Sequence, residues 1–125
     1  MLSRGRETVR RWALRETGSA ARECFDELCG GKNVSGRTVR SHGAVVEAVR
    51  SGWADAGVCV QLAAEEAGLH FLPVRTEMLD FCFENSLVRD ARVLALIRLL
   101  RSRDYRRLMS ELPGYDARET GEFIN

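Results

Sequence analysis

Residues 9–60 alternate between short apolar runs and segments of helical period, and this alternation constrains the fold more than any other feature of the sequence. Residues 9–15 fit a strand. The helix that follows has apolar positions at three- and four-residue spacing: Ala21, Cys24, Phe25 and Leu28. Gly30 and Gly31 predict its end, because glycine accepts the left-handed backbone that often terminates a helix. The first part of the chain therefore predicts a strand followed by a helix.

A second strand and helix are predicted after the loop "GKNVSG" at 31–36. Residues 37–40 fit a short strand, and Ser41 predicts the start of a helix that ends near Gly52. The apolar positions of this helix are Ala44, Val45, Ala48 and Val49. The run "DAGVCV" at 55–60 is apolar on both faces, which is typical of a strand in the middle of a parallel sheet. Residues 9–60 thus predict a βαβαβ arrangement of the α/β class.

The second half of the chain predicts a different mixture of elements. "QLAAEEAGL" at 61–69 predicts a short helix. "HFLPV" at 70–74, which Pro73 interrupts, and "MLDFCFE" at 78–84 predict strands.

Two further helices are predicted near the end. Asn85 and Ser86 are candidate caps of the first, whose inward positions are Val93, Leu96, Ile97 and Leu100. Ser102 and Asp104 predict the start of the second, which ends at Pro113. Its inward positions are Tyr105, Leu108, Met109 and Leu112. The remaining residues, 113–125, have turn chemistry and no periodicity, so they predict a tail that either wraps the domain or frays.

The charge of the chain is nearly balanced, with 19 basic and 18 acidic residues and a net charge of +1. No overall field therefore attracts it to nucleic acid or to an anionic membrane. No apolar stretch approaches the ~18 residues of a membrane span, and no apolar segment follows the charged N-terminus as it would in a signal peptide. We expect a cytoplasmic protein without direct contact to nucleic acid or membrane.

Most of the cysteine and aromatic side chains are predicted to lie in the hydrophobic core. The cysteines lack CxxC spacing and lie among apolar neighbours: Cys24, Cys29, Cys59 and Cys82. This pattern is typical of small buried hydrophobes in a reducing compartment, so we expect no metal site and no cofactor. The aromatic side chains expected in the core are Trp12, Phe71, Phe81 and Phe83. Trp53 is also expected in the core, and its place beside Gly52 at a helix end leaves exposure as the alternative.

Catalytic groups are not placed together by the sequence. His42 and His70 are the only histidines. Ser41 adjoins His42, but neighbouring side chains on a helix point apart, and spacing places no third group beside them. The arginine-rich helix at 101–109 has apolar residues expected in the core and no helix-turn-helix pattern before it. We expect neither an enzyme nor a DNA-binding module.

Two predicted helices begin with a serine next to arginines, in "RETGSAAR" at 15–22 and "RSHGAV" at 40–45. Free backbone N–H groups and a hydroxyl at the positive end of a helix dipole form an anion site. The alternative is that Ser19 only caps its own helix. The predicted topology places both helix starts at the carboxyl edge of one parallel sheet, where open α/β sheets bind their ligands.

These blocks, followed by "ADAG", "LHFLPV", "MLDFCFE" and "ELPGYDARETGEF", resemble the periplasmic-binding-protein-like domain of bacterial regulators and molybdopterin-biosynthesis-like proteins. The resemblance extends from about residue 10 to residue 123. The chain is similar, more loosely, to LysR-type effector domains and to molybdate-binding transport proteins. The resemblance implies a type II fold, in which two α/β lobes hold a small ligand in the cleft between them.

The resemblance also implies which residues bind the ligand. Thr17, Gly18 and Ser19 correspond to the first ligand loop, and Ser41 and His42 to the second. Further candidates are the flanking Arg15 and Arg22 and, in the tail, Tyr115. Asp55 and Gly57 correspond to structural positions where the chain leaves the lobe. Ala20 and Ala21 stand where the family usually has a glycine and a hydroxyl residue.

The expected function is non-catalytic binding of a small oxyanion, such as molybdate, tungstate, sulfate or phosphate, in a sensor-type domain. By this comparison, residues 1–8 form an extension, 9–60 a complete lobe, 61–112 part of a second lobe and 113–125 a tail. Family domains have a further N-terminal part, so we expect a homodimer, a larger assembly or a partner subunit that covers the incomplete lobe. The alternative is a structural or regulatory subunit that binds a partner chain and no small ligand.

Overall fold

A computed structural model describes residues 9–32 and 34–124, and the chain divides into two compact units with the boundary between Arg75 and Thr76. The predicted extension at 1–8 lies outside the described residues. Among those residues, none of the helices has both the length and the apolar character needed to cross a lipid bilayer.

The first unit contains the predicted βαβαβ arrangement. Its elements are β1 (Trp12–Arg15), α1 (Ala20–Leu28), β2 (Gly36–Val39), α2 (His42–Arg50), β3 (Ala56–Gly57) and α3 (Gln61–Glu66). The strands form a parallel sheet of order β2-β1-β3. Trp12 at the start of β1 is in register with Gly36 of β2 and with Ala56 of β3. The mixed α/β character predicted from the sequence is confirmed.

The two helices α1 and α2 cover opposite faces of this sheet. Side chains alternate between the faces along a strand. Trp12 contacts Phe25 of α1 edge to face, with ring centroids 5.0 Å apart. The next residue, Ala13, packs with Val45 of α2 and with Ala54 in the core. Since successive residues of β1 meet different helices, α1 and α2 lie on different sides of it.

The prediction that 55–60 forms the central strand is wrong. β3 has only two residues and lies at the sheet edge, while β1 is central. Val58 and Cys59 are half-buried and outside the sheet. Cys59 packs against the core around Ala13. The residues after β3 are therefore apolar because they pack against the core beside the sheet, and not because they form a central strand.

Asp55 and Gly57 have the structural roles that were predicted. The Asp55 carboxylate accepts hydrogen bonds from the backbone N–H groups of Arg10 and Arg11, at 3.2 and 2.9 Å. It also accepts one from the Arg11 guanidinium at 2.9 Å. A Cβ on Gly57 would lie 2.6 Å from Cγ1 of Val45, so only glycine allows α2 to pack this closely on β3. Both residues fix the packing of the first unit.

The second unit contains a 3-10 turn (Asn85–Leu87), α4 (Ala91–Arg101) and α5 (Arg103–Glu111). Asp90 caps α4 by accepting from the Arg92 N–H, so the prediction that Asn85 or Ser86 caps it is wrong. Those two residues lie in the preceding turn. The four inward positions predicted for α4 are the ones that are half-buried: Val93, Leu96, Ile97 and Leu100.

The cap and two inward positions of α5 agree with the prediction. The Ser102 hydroxyl accepts from the Tyr105 N–H, and Tyr105 and Met109 are half-buried. Leu108 and Leu112 are exposed, contrary to prediction. They lie on the side of α5 that the second unit leaves uncovered.

The predicted strands at 70–74 and 78–84 are absent from the described structure. Among the described residues, neither stretch pairs with a strand of the sheet, and a strand requires such ladder hydrogen bonds. Phe81, Cys82 and Phe83 are exposed, which contradicts their prediction as core residues. Leu72 and Leu79 are also largely exposed.

The tail wraps the second unit over its described residues. The Arg101 Nε donates to the carbonyl of Gly121, and the Arg106 guanidinium donates to the carbonyl of Thr120, both at 2.8 Å. Phe123 contacts Phe83 edge to face, with centroids 6.4 Å apart. The tail is thus fixed to α4 and α5 by arginine contacts to its backbone.

Trp53 belongs to the first unit and is exposed, so the prediction that it lies in the core is wrong and the alternative holds. The guanidinium of Arg37 on β2 lies over its ring, 4.6 Å from the centroid. This cation–π contact joins the exposed edge of the sheet to the segment that follows α2.

Candidate functional site

The carboxyl ends of β1 and β2 lie next to each other at one edge of the sheet. These neighbouring strands lead into α1 and α2, which lie on opposite faces. The two connecting loops lie side by side at this edge, and we call the region between them the crevice. Open α/β sheets bind ligands outside the carboxyl ends of their strands. The sequence-predicted loop residues border this crevice.

The α1 side of the crevice begins with a tight turn. Thr17 and Gly18 form the turn, and Gly18 has a φ of 94°, which favours glycine. The Ser19 hydroxyl accepts from the Arg22 N–H at 3.1 Å and donates to the carbonyl of Glu16 at 2.9 Å. Ser19 therefore caps its own helix and closes the turn that precedes it.

The α2 side begins with Ser41 and His42. The Ser41 hydroxyl accepts from the Ala44 N–H at 3.0 Å and caps the helix. The backbone N–H of Val60 donates to Nδ1 of His42 at 3.3 Å. Since Nδ1 is the acceptor, the neutral ring has its proton on Nε2, which leaves a donor for another group. Burial lowers the pKa of His42, and the charge of Arg15 lowers it further, although Glu16 opposes this.

Arg15, at the end of β1, connects the two sides. Its Nη1 lies 3.4 Å from Nδ1 of His42. Its Nε and Nη2 donate to the two carboxylate oxygens of Glu16, at 3.1 and 2.8 Å. The Arg15 side chain is only 12% exposed. Arg15 and His42, predicted as site residues from separate loops, are thus brought together by the structure.

Glu16 is the site residue that the sequence reasoning missed. Hydrogen bonds from Arg15 and from its own backbone N–H hold its pKa at about 2, and the charges of Arg15 and Arg40 contribute as well. The carboxylate is therefore ionised and lies near two cations. The signal was present in "RETGSAAR", where an acidic residue directly follows the arginine.

Arg22 has a supporting position. Its Nη1 donates to the carbonyl of Arg15 at 3.0 Å, and its Nε donates to Asp26 at 3.0 Å. Arg22 thus links α1 to the end of β1 and holds the backbone that presents Arg15.

Tyr115 belongs to the second unit and lines a separate open depression of about 380 Å³. The other residues around this depression are Arg106, Ser110, Asp116, Ala117 and Arg118. Asp116 and Arg118 form an ion pair at 2.6 Å.

Metal-binding clusters of three or more His, Cys, Asp or Glu side chains do not occur within the described residues. The described cysteines are free thiols, and burial raises the pKa of Cys59. The groups that the described residues place at the crevice are the His42 ring and the ionised side chains of Arg15 and Glu16.

Comparison with known proteins shows which family the chain belongs to. A family model described as the PBP superfamily domain matches residues 5–101. The chain belongs to this PBP-like family. The PBP-like chain is also similar to the uncharacterized protein YvgK of Bacillus subtilis (strain 168), with 35% identity over 118 residues that cover 88% of this chain. The chain spans 37% of the length of that relative.

No solved structure matches the chain. The family match supports a periplasmic-binding-protein-like fold, and domains of this family generally bind ligands and do not catalyse reactions. The PBP-like assignment thus agrees with the position of the crevice, which lies where an α/β sheet binds ligands.

Proposed function

We propose that this PBP-like domain is a non-catalytic binding module of the type II, sensor-like kind, with a small oxyanion held at the crevice between β1 and β2. Molybdate, tungstate, sulfate and phosphate are the candidate ligands. The observation that carries the proposal is the start of two capped helices, α1 and α2, from neighbouring strands on opposite faces of the sheet.

The helix starts supply neutral donors. The first N–H groups of a helix have no acceptor within it. Ser19 and Ser41 each satisfy one of them, those of Arg22 and Ala44. The N–H groups earlier in each first turn are oriented along the helix dipole toward the crevice, which favours an anion there.

The side chains supply charge and one further donor. Arg15 provides a guanidinium that can bind two oxygens of an anion at once. Neutral His42 provides Nε2–H, because its Nδ1 is occupied by the Val60 N–H. Arg22 orders the Arg15 backbone, so its role is to position the site.

Thermal unfolding with a panel of millimolar anions tests the proposal. A ligand at about 100 times its Kd adds about 2.7 kcal/mol to the free energy of unfolding, which shifts the midpoint by several degrees. S19A and S41A should reduce the shift. S102A is the matched control, since Ser102 caps α5 of the second unit and should leave the shift unchanged. Absence of a shift with every anion would contradict oxyanion binding.

A second function, binding of a partner chain, is favoured by the exposed apolar residues between 72 and 83. Met78, Leu79 and Phe81 of the second unit are each at least 60% exposed. Contiguous exposed apolar surface commonly marks an interface. A homodimer or a partner subunit would cover it, and no small ligand is then required.

Light scattering after gel filtration tests the second function for the homodimer. The M78S/L79S variant should shift an oligomer toward monomer. L28S removes another exposed leucine, on α1, and serves as the control, because Leu28 lies outside this segment. A wild-type monomer at all concentrations would contradict self-association and direct the search to a different partner chain.

A further inference from the structure

The Arg15–Glu16 pair occupies the position that an anion is expected to take. Glu16 presents its two oxygens to Nε and Nη2 of Arg15, at 3.1 and 2.8 Å, in the side-on geometry of a bidentate ion pair. A carboxylate, phosphate, sulfate or molybdate would offer two oxygens to the same edge of the guanidinium. The protein's own carboxylate therefore fills the donors that the ligand requires.

The two members of the pair differ in how firmly the fold holds them. The Arg15 side chain is 12% exposed, and its Nη1 is also 3.4 Å from Nδ1 of His42. The Glu16 side chain is 39% exposed and follows the end of β1. Glu16 can therefore rotate toward solvent while Arg15 keeps its contact with α2.

We infer that Glu16 is a built-in competitor for the anion site, and that a ligand binds by displacing its carboxylate from Arg15. This inference rests on the proposed oxyanion function. It assigns the ligand class as anions that present two oxygens to one guanidinium. It also makes Glu16 a residue that sets affinity and charge selectivity, although the resemblance did not include it.

Charge selectivity follows from the surroundings of Glu16. The carboxylate lies in the field of both Arg15 and Arg40. When it remains nearby after displacement, its charge repels a dianion more strongly than a monoanion. Removing the charge should therefore favour sulfate and molybdate more than acetate.

Isothermal titration of the full chain with sulfate, molybdate and acetate tests the inference. E16Q keeps the size of the side chain and removes its charge. We expect E16Q to bind sulfate or molybdate at least about fivefold more tightly than wild type. The gain for acetate should be smaller. E23Q is the matched control, because Glu23 is an acidic residue in the first turn of α1 that does not pair with Arg15.

A double variant, R15Q/E16Q, should lose the gained affinity, and circular dichroism checks that each variant is folded. If wild type binds an anion and E16Q binds it no more tightly, the competitor role of Glu16 is overturned and the proposed function stands. A gain of equal size in E23Q also overturns it, since the effect would then be general electrostatics. If neither wild type nor E16Q binds any of the three anions, the oxyanion function itself fails.

Discussion

The backbone N–H of Val60 donates to Nδ1 of His42 across 3.3 Å, and this bond ties the segment after β3 to the first residue of α2. It requires a neutral acceptor nitrogen, because a protonated imidazole has donors at both positions. Protonation of His42 would also place a second cation beside Arg15. The link between β3 and α2 should therefore depend on pH.

Stability should fall when His42 becomes protonated. Burial and Arg15 lower its pKa in the folded protein, so its contribution to stability is complete above the usual value of 6.5 and is lost as the pH falls through the lowered pKa. H42N keeps an acceptor near the Nδ1 position and should flatten this part of the pH profile. Urea unfolding at a series of pH values between about 7.5 and about 5 measures this pH dependence of the free energy of unfolding. H70N, at an exposed histidine, should keep the wild-type slope.

Gly57→Ala should destabilise the first unit. The added Cβ would lie 2.6 Å from Cγ1 of Val45 and 3.0 Å from the carbonyl of Ala13, and overpacking of this kind costs about 1–3 kcal/mol. Gly43→Ala is the control within α2, where the nearest atom is 3.9 Å away and alanine should be neutral or stabilising. Chemical denaturation of both variants measures the difference. Equal stability of the two would show that α2 moves away from β3 without cost.

Asp55→Asn should lower the thermal midpoint, because an amide replaces a carboxylate that accepts two backbone N–H groups and a guanidinium. The Arg11 guanidinium and the N–H of Arg11 hold the pKa of Asp55 below its usual value, so the contribution is present above that value and lost as the pH falls. The midpoints of wild type and D55N should therefore converge in acid. D80N alters an exposed carboxylate of the second unit and should leave the midpoint unchanged.

Ser19→Ala should cost stability in the absence of any ligand. Removal of a serine cap typically costs about 1 kcal/mol, and Ser19 also loses its bond to the carbonyl of Glu16. Ser41→Ala removes only the acceptor for the Ala44 N–H and should cost less. Denaturant titrations without added anion measure both. A larger loss in S41A than in S19A would contradict the extra role of the Ser19 hydroxyl.

The helices of the first unit were predicted well from the sequence, because the residues that begin and end them lie close to the helix boundaries. The helical period, the caps Ser19 and Ser41 and the glycines after α1 all lie within a few residues of the boundaries that they set. The strands predicted at 70–74 and 78–84 failed because a strand also needs a partner. An alternating pattern rich in β-branched or aromatic residues shows that a segment could form a strand, but it does not show which strand would pair with it.

The sequence predicted that the candidate site residues meet at one sheet edge, but it did not predict which of them form contacts. The topology correctly indicated that the loops after β1 and β2 flank one sheet edge. The contact of Arg15 with His42, 27 residues later, depends on which face of the sheet α2 covers. Tyr115 was predicted as a site residue from the family resemblance alone, and it lies in the second unit. Whether these residues bind a ligand remains a prediction.

The two tryptophans lie in environments that make them separate optical reporters. Trp12 packs against Phe25 between sheet and helix, so its emission should shift to longer wavelength when the first unit unfolds. Trp53 is 66% exposed beneath the Arg37 guanidinium, which attracts iodide to an already accessible indole. Iodide quenching should therefore remove mostly Trp53 emission and leave Trp12 as the signal of the core. Unfolding of the sheet can then be followed by fluorescence without attaching a label.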